Sequence, residues 1–271
     1  MAGEGLMQRK ISIQNFKGGV GKTATVLNLG AGLARRGQRV LMIDCDTQGD
    51  LTEVCGVKLE KRQPTLYHIL IDDLAADQVT LEVGEHLHLI PSDKKLAAAE
   101  AIMVGFNARE HTLLHRLGHL SNDYDLILLD CAPAMNLMHQ NALLYADELL
   151  IPVDMDRLAM SGCSAILDSV RTLGEYNQFK MPAFTGVIPT FVDQRTNITA
   201  QVMHALNTYY PGRVFPPVRV DQQLKHAAAA CQSIFDYAPK SRAAKDFNRL
   251  VDVLVGVEQV QYEDDQARAA N

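Results

Sequence analysis

An apolar strand that runs straight into a glycine-rich turn and then into a helix leaves few folds open to a chain, and residues 10–36 read that way. The stretch 10–16 (KISIQNF) meets Lys17-Gly18-Gly19-Val20-Gly21-Lys22-Thr23. Beyond it Val26, Leu27, Gly30, Leu33 and Ala34 recur at helical spacing, with Gly37 as the stop. Glycines let successive backbone N–H groups turn toward one point without side chains in the way. The start of the helix adds its partial positive charge. Such a turn cradles phosphate. Gly18, Gly19, Val20, Gly21 and Ala24 supply its backbone, Lys22 reaches the outer phosphates, and the Thr23 hydroxyl is placed to ligate Mg2+. The strict pattern GxxxxGK[ST] asks for glycine at position 16, where this chain has Phe16. It carries instead a second lysine, Lys17, at the loop's start.

The rest of the chain repeats the strand–helix alternation. Candidate strands are 39–46, 87–92, 125–132, 148–154 and 184–192, several of them apolar on successive residues, the pattern of parallel strands buried on both faces. Helical patterns fall near 94–104, 108–120, 137–146, 158–175, 197–209 and 240–256. This order predicts an α/β fold with a single doubly wound, mostly parallel sheet flanked by helices. One domain is expected over 10–257, between a disordered leader (1–9) and an acidic flexible tail (258–271). A composition of 47% hydrophobic and 21% charged residues excludes a disordered chain. No apolar run is long enough for a membrane span, and the first residues lack the apolar core of a secretory signal. Five cysteines, odd in number and without a CxxC pair, argue against a disulfide framework and against a local zinc or iron–sulfur site.

Two further sites carry acids. The strand 39–46 ends in Asp44-Cys45-Asp46, and a period of two puts both carboxylates on one face at its tip. Acids at the mouth of an apolar strand are costly unless Mg2+, a lysine or water engages them. In 125–132 (DLILLDCA) Asp130 follows an apolar run, an acid at a strand tip suited to holding Mg2+.

The loop KGGVGKT resembles that of the deviant Walker A ATPases of the ParA/Soj/MinD family, in the ParA/Soj-like branch without an N-terminal helix-turn-helix. DCDTQGDLT, DLILLDCAP and QNALLYADELLIPV are similar to its other blocks. The resemblance implies ATP and Mg2+ as cofactors and an ATP-sandwich homodimer, with Lys17 reaching the partner's nucleotide. It implies a catalytic set of Lys17, Lys22 and Asp46, in which Asp46 orients the attacking water, and a metal set of Thr23, Asp44 and Asp130. Asn141 matches a family asparagine that is either a nucleotide contact or a packing amide. Pro189 and Thr190 are candidate adenine contacts from their strand-end position. Ala24, Thr47 and Asp50 depart from the usual threonine, proline and asparagine.

Relatives of this branch bind DNA without sequence preference. Segment 195–249 has eight Lys/Arg against three acids, so its charge is +5 while the rest of the chain carries −11. Arg195 falls at one family DNA contact. A second family arginine is replaced by Gln223, with Arg219 and Lys225 nearby and Lys240, Arg242 and Lys245 adding charge. The tail QYEDDQARAAN is acidic, so no membrane anchor is expected. The function implied is a slow, partner-stimulated ATPase switch. It would dimerise on ATP, bind DNA, and partition or position DNA or protein cargo with a ParB-like or cargo-adaptor protein, in the cytoplasm on the nucleoid. The alternatives are a metabolic P-loop ATP-dependent ligase or synthetase, and a MinD-like positioning ATPase.

Overall fold

The computed structural model describes residues 8–177 and 180–256. Its centre is a seven-stranded sheet. In chain order the strands are β1 (Arg9–Ile13), β2 (Val40–Cys45), β3 (Leu81–Gly84), β4 (Leu87–Ile90), β5 (Leu126–Cys131), β6 (Glu148–Asp154) and β7 (Ala183–Thr190). Across the sheet the order is β3-β4-β2-β5-β1-β6-β7, parallel throughout except for β3, which runs antiparallel to β4 at the edge. β1 lies centrally between β5 and β6, with Ile13 opposite Asp130 and Leu150. β2 lies beside β5, with Asp44 opposite Asp130 and Cys45 opposite Cys131. The two acids expected at strand tips are therefore lateral neighbours.

Period-two geometry sorts the central strands onto two faces. Val40 and Met42 face one side with Ile11, Ile13, Leu126 and Leu128. This face is covered by α1 (Lys22–Ala34), α10 (Ile234–Tyr237) and α11 (Arg242–Leu254). Leu41, Ile43, Ile127 and Leu129 face the other side under α3 (Leu66–Leu70), α4 (Leu96–Met103), α5 (Thr112–Leu117) and α6 (Leu137–Tyr145). Beneath α7 (Ala159–Asn177) and α8 (Asn197–Tyr209), the core continues through Leu149, Ile151 and Val187. The short α2 (Asp50–Val54) and α9 (Gln222–Ala229) complete the set.

α1 is gripped on both sides. A methyl built on Gly30 would lie 2.8 Å from Met42 Sδ, and one on Gly32 would lie 2.8 Å from Val251 and 3.0 Å from Phe235. Both glycines are packing positions, where α1 approaches sheet and outer helices too closely for a Cβ.

The sequence reading missed β3, α2, α3, α9 and α10, and it carried β1 three residues too far, to 16 where the strand ends at Ile13. The expected leader is also too long. Gln8 donates to the Leu120 and Tyr124 carbonyls, and Arg9 lies in β1 with its guanidinium on Glu148 at 2.6 Å. Residues 1–7 and the expected tail 258–271 lie outside the described residues.

Candidate nucleotide site

The phosphate loop is built by pinning both of its ends. At its entry, Asn15 donates to the Pro152 carbonyl at 2.8 Å and accepts from the Lys17 backbone N–H at 2.9 Å, which fixes the loop's start against β6. Phe16 packs on the imidazole of His139 in α6, with ring centroids 4.9 Å apart. At the exit, Thr190 Oγ1 donates to the Val20 carbonyl at 2.9 Å, so the end of β7 holds the loop's far side. Gly19 (φ 74°) and Gly21 (φ 85°) take the left-handed conformation that favours glycine. Nothing lies within 4 Å of a methyl built on Gly18 or Gly19, so the loop's outer side is open. Lys22 begins α1 and is 7% exposed, while Thr23 and Ala24 are half-buried beside it.

The acids converge on Lys22. Asp130 is 1% exposed, and neither of its carboxylate oxygens has a hydrogen-bond partner. Burial raises its pKa well above the carboxylate range and the Asp44 charge adds to this, while Thr23 and Lys22 favour its charged form. Burial lowers the pKa of Lys22, against the pull of Asp130, Cys131 and Asp46. A buried acid and a buried cation therefore stand close together with the acid's oxygens unused. That is the arrangement a magnesium nucleotide fits, because it would give Asp130 a cation and Lys22 an anion. Among the described residues no cluster of three or more His, Cys, Asp or Glu could hold a metal alone, so Thr23 and Asp130 would share a metal with the nucleotide's oxygens.

Asp44 differs. Its Oδ2 accepts from the Thr52 N–H (2.9 Å) and hydroxyl (2.7 Å), and its Oδ1 accepts from the Asp46 N–H (3.1 Å). Burial nevertheless pushes its pKa up to about 6. Asp44 braces the loop that carries Asp46, rather than offering a free oxygen to a metal. The same loop is clamped from the segment that follows β4: Ser92 Oγ donates to the Asp46 carbonyl at 2.8 Å, and the Ser92 N–H donates to Thr52 Oγ1 at 2.9 Å. Gly49 (φ 71°) comes so close to the Ser92 carbonyl that a methyl would lie 2.9 Å from it. Asp46 itself is half-buried, with Oδ1 accepting from the Gln48 N–H at 3.0 Å. The sequence reading assigned Thr52 and Ser92 no role.

Lys17 sits at the loop's outer edge, and its ammonium donates to Asp154 Oδ2 at 2.6 Å and to Asp156 Oδ2. Burial works against its charge, but the hydrogen bonds and charges of the two acids outweigh it and raise its pKa. The sequence reading assigned these acids no role.

Four expected contact residues are engaged elsewhere. Asn141 is fully buried. Its carbonyl oxygen accepts from the Leu113 N–H at 2.9 Å, and its amide donates to the carbonyls of Arg109 (3.0 Å) and Leu137 (2.9 Å), so it is the packing amide of the two alternatives. Pro189 is buried in the sheet opposite Val153, and the Thr190 hydroxyl is engaged by Val20, so neither presents a free group to a base. Arg219 is locked to Asp246, which is 6% exposed, with Arg219 Nη2 2.6 Å from Oδ1. It joins α11 to the strand-like segment before α9.

The remaining basic residues are exposed. Arg195 reaches its neighbour Asp193 at 2.7 Å, and Lys225, Lys240, Arg242 and Lys245 lie on the surface. Hydrogen bonds from Arg195 hold the Asp193 carboxyl low and the charge of Arg242 adds to this, which brings Arg195 and Arg242 to one side of the molecule. No helix among the described residues is long and apolar enough to cross a membrane. A cavity of about 600 Å3 lies at the far end of α1, lined by Ala31, Arg35, Cys55, His86 and Cys231, and holds none of the motif residues.

A family model described as an AAA domain matches residues 8–181. The sporulation initiation inhibitor protein Soj of Bacillus subtilis is 36% identical over 88% of this chain and 95% of its own length. An ATP complex of a Cyanothece McdA variant superposes with a TM-score of 0.83 at 26% identity, covering 95% of this chain and all of the other. Cobyrinic acid a,c-diamide synthase from Mycobacterium smegmatis, with bound ADP and magnesium, superposes with a TM-score of 0.79 at 28% identity, covering 92% of this chain and 94% of the other.

Proposed function

Because the chain belongs to the ParA/Soj/MinD family of P-loop ATPases, with ATP and Mg2+ as its cofactors, we propose that it is an ATP-operated positioning switch that closes as a homodimer. The observation that carries this reading is the place of Lys17. Lys22 already serves the loop's own pocket, whereas Lys17 lies at the rim, paired with acids outside that pocket. A second cation there is useful to a nucleotide held by another copy of the chain.

In this reading the backbone of 18–23 and Lys22 hold the phosphates, and Thr23 and Asp130 hold the magnesium. That ion supplies charge neutralisation on the phosphates. Asp46 orients the attacking water from a loop fixed by Asp44, Thr52 and Ser92. Turnover is slow until a ParB-like or cargo-adaptor protein stabilises the reactive arrangement. Arg195, Lys225, Lys240, Arg242 and Lys245 bind DNA phosphates without reading bases, which places the dimer on the nucleoid in the cytoplasm with DNA or a protein assembly as cargo.

The likeness to a diamide synthase favours a second reading, an ATP-dependent amide-forming enzyme. The two separate in one experiment: the mass of the protein and its DNA binding, measured with ATP, with ADP, and in Asp46→Ala to block turnover. A dimer and salt-sensitive DNA binding only with ATP are expected. A chain that stays monomeric in Asp46→Ala with saturating Mg-ATP would overturn the switch reading.

A further inference from the structure

The cavity at the far end of α1 is lined by two free thiols from distant parts of the chain, Cys55 and Cys231. Cys55 ends α2, its N–H donating to the Leu51 carbonyl, and Cys231 lies between α9 and α10, its N–H donating to the Ala228 carbonyl, both at 3.0 Å. The two turns touch. A methyl built on Gly56 would lie 3.5 Å from Cys231 Cβ and 3.7 Å from the Cys231 carbonyl oxygen. Cys231 stands at φ 53°, a left-handed backbone that glycine would take without strain. Its side chain is exposed, so apolar burial does not offset that strain. Cys55 is half-buried, and burial pushes its thiol up to about 12, with the charges of Asp44, Asp130 and Cys231 adding to this. Each thiol therefore lies within electrostatic reach of the other. Among the described residues no group of three or more His, Cys, Asp or Glu could hold a metal, so the pair is not part of a metal site.

We propose that Cys55 and Cys231 form a reversible disulfide latch, closed by low-molecular-weight disulfides that enter the cavity. The exposed Cys231 thiolate attacks one sulfur of the incoming disulfide. That S–S bond breaks, a mixed disulfide forms on Cys231, and one small thiolate leaves. The Cys55 thiolate then attacks the Cys231 sulfur, and the second small thiolate leaves as the Cys55–Cys231 bond forms. The two protein thiols are oxidised, the small disulfide is reduced to two thiols, and the protons given up by Cys55 and Cys231 end on them. The bridge joins two segments that bear on the nucleotide site. α2 carries Thr52, whose hydroxyl holds Asp44 at 2.7 Å behind the Asp46 loop. On the other side, the Ile234 N–H donates to Asn28 Oδ1 of α1 at 2.7 Å. Closed, the latch ties the support of the Asp46 loop to the helix that begins at the phosphate loop, and it slows turnover with nucleotide binding in place. That effect rests on the ATPase reading, whereas the bridge itself does not.

The test treats the reduced whole chain with oxidised glutathione, alkylates the remaining thiols, and digests without reductant for mass analysis. A cross-linked pair of peptides bearing Cys55 and Cys231 is expected. Tm should rise, because the bridge closes a long loop of the unfolded chain. ATP hydrolysis should slow several-fold at unchanged Mg-ATP affinity, and dithiothreitol should reverse all three changes. Cys231→Gly, a substitution suited to φ 53°, should keep the turnover of the reduced wild type and ignore the oxidant. Glutathione left on Cys231 beside an alkylated Cys55 would overturn the proposal, as would slowing that persists in Cys231→Gly. A bridge that forms with turnover unchanged would overturn the latch. A bridge in a chain that hydrolyses no ATP when reduced would uphold the thiol pair and count against the ATPase reading instead.

Discussion

Lys17 Nζ donates to Asp154 Oδ2 at 2.6 Å, so the lysine proposed to reach a partner's nucleotide is held here by its own chain. Asp156 is its second holder. These side chains are 23–42% exposed, and solvent limits each pair to about 1 kcal/mol or less. Replacing Asp154 and Asp156 together by asparagine is therefore expected to lower the protein concentration needed for ATP-dependent dimerisation by a few-fold. Lys17→Ala should abolish the dimer and leave nucleotide affinity in place. Mass measurement across a dilution series, in an Asp46→Ala background, reads both. A midpoint that does not move in the double variant would mean that the acids do not restrain the lysine.

Asp130, buried with two unused oxygens, sets a contrast between the free and loaded chain. Mg-ATP at a hundred times its Kd stabilises a protein by about 2.7 kcal/mol, roughly 5–10 °C in Tm for a domain of this size. In Asp130→Asn this shift should fall by more than half, while the Tm of the free protein holds or rises, because an amide has no charge to bury. A thermal scan with and without Mg-ATP tests it, and a full ligand shift in the variant would remove Asp130 from the metal site.

His139 carries a pH dependence of known sign. Burial lowers its pKa to about 4 from the ordinary 6.5, so the fold holds it neutral. The unfolded chain binds its proton first as pH falls. The stabilisation is complete above 6.5 and is lost between 6.5 and about 4, to a total of ~3 kcal/mol. His139→Gln, which can still reach Ser169, should show a smaller fall in urea midpoint than the wild type between pH 6.5 and 4.5. Parallel falls would place the lost stability elsewhere.

Asn141 tests a packing role against a catalytic one. Asn141→Leu strands the buried Leu113 N–H, at a cost of about 1–3 kcal/mol on top of the other lost bonds. Stability should drop by that order, with ATP affinity per folded molecule unchanged. A selective loss of ATP affinity at wild-type stability would reverse the assignment.

The basic face should behave as a set with one exception. Arg242→Glu and Lys245→Glu are expected to weaken DNA binding at every sequence tested and to flatten its dependence on salt, each removed phosphate contact lowering the slope by about one. Arg219→Ala should instead lower Tm, because it leaves Asp246 buried without its partner. Weaker DNA binding by Arg219→Ala at unchanged Tm would return it to the interface.

What the sequence made legible is local. The glycine turn, Lys22, Thr23 and the acids at the ends of β2 and β5 declare themselves because chemistry and chain order coincide there. β3 escaped notice because it is four residues long and turns into β4 through Glu85 and His86, with His86 at φ 59°, in place of an Asn-Gly or Asp-Gly signal. Asn141 aligned with a family position, yet only packing decides which way an amide on a helix points. The partner of Arg219 is 27 residues away along the chain.

The close seating of α1 between Met42 below and Val251 and Phe235 above constrains how a signal can leave the phosphates. A helix wedged that tightly cannot slide or tilt to register what sits at its first turn. Any difference between triphosphate and diphosphate must then be taken up outside that helix, at the rim where Lys17 is half-buried and Gly18 and Gly19 are exposed. The stiffness of the central helix thereby turns a chemical change at one atom into a change of outer surface.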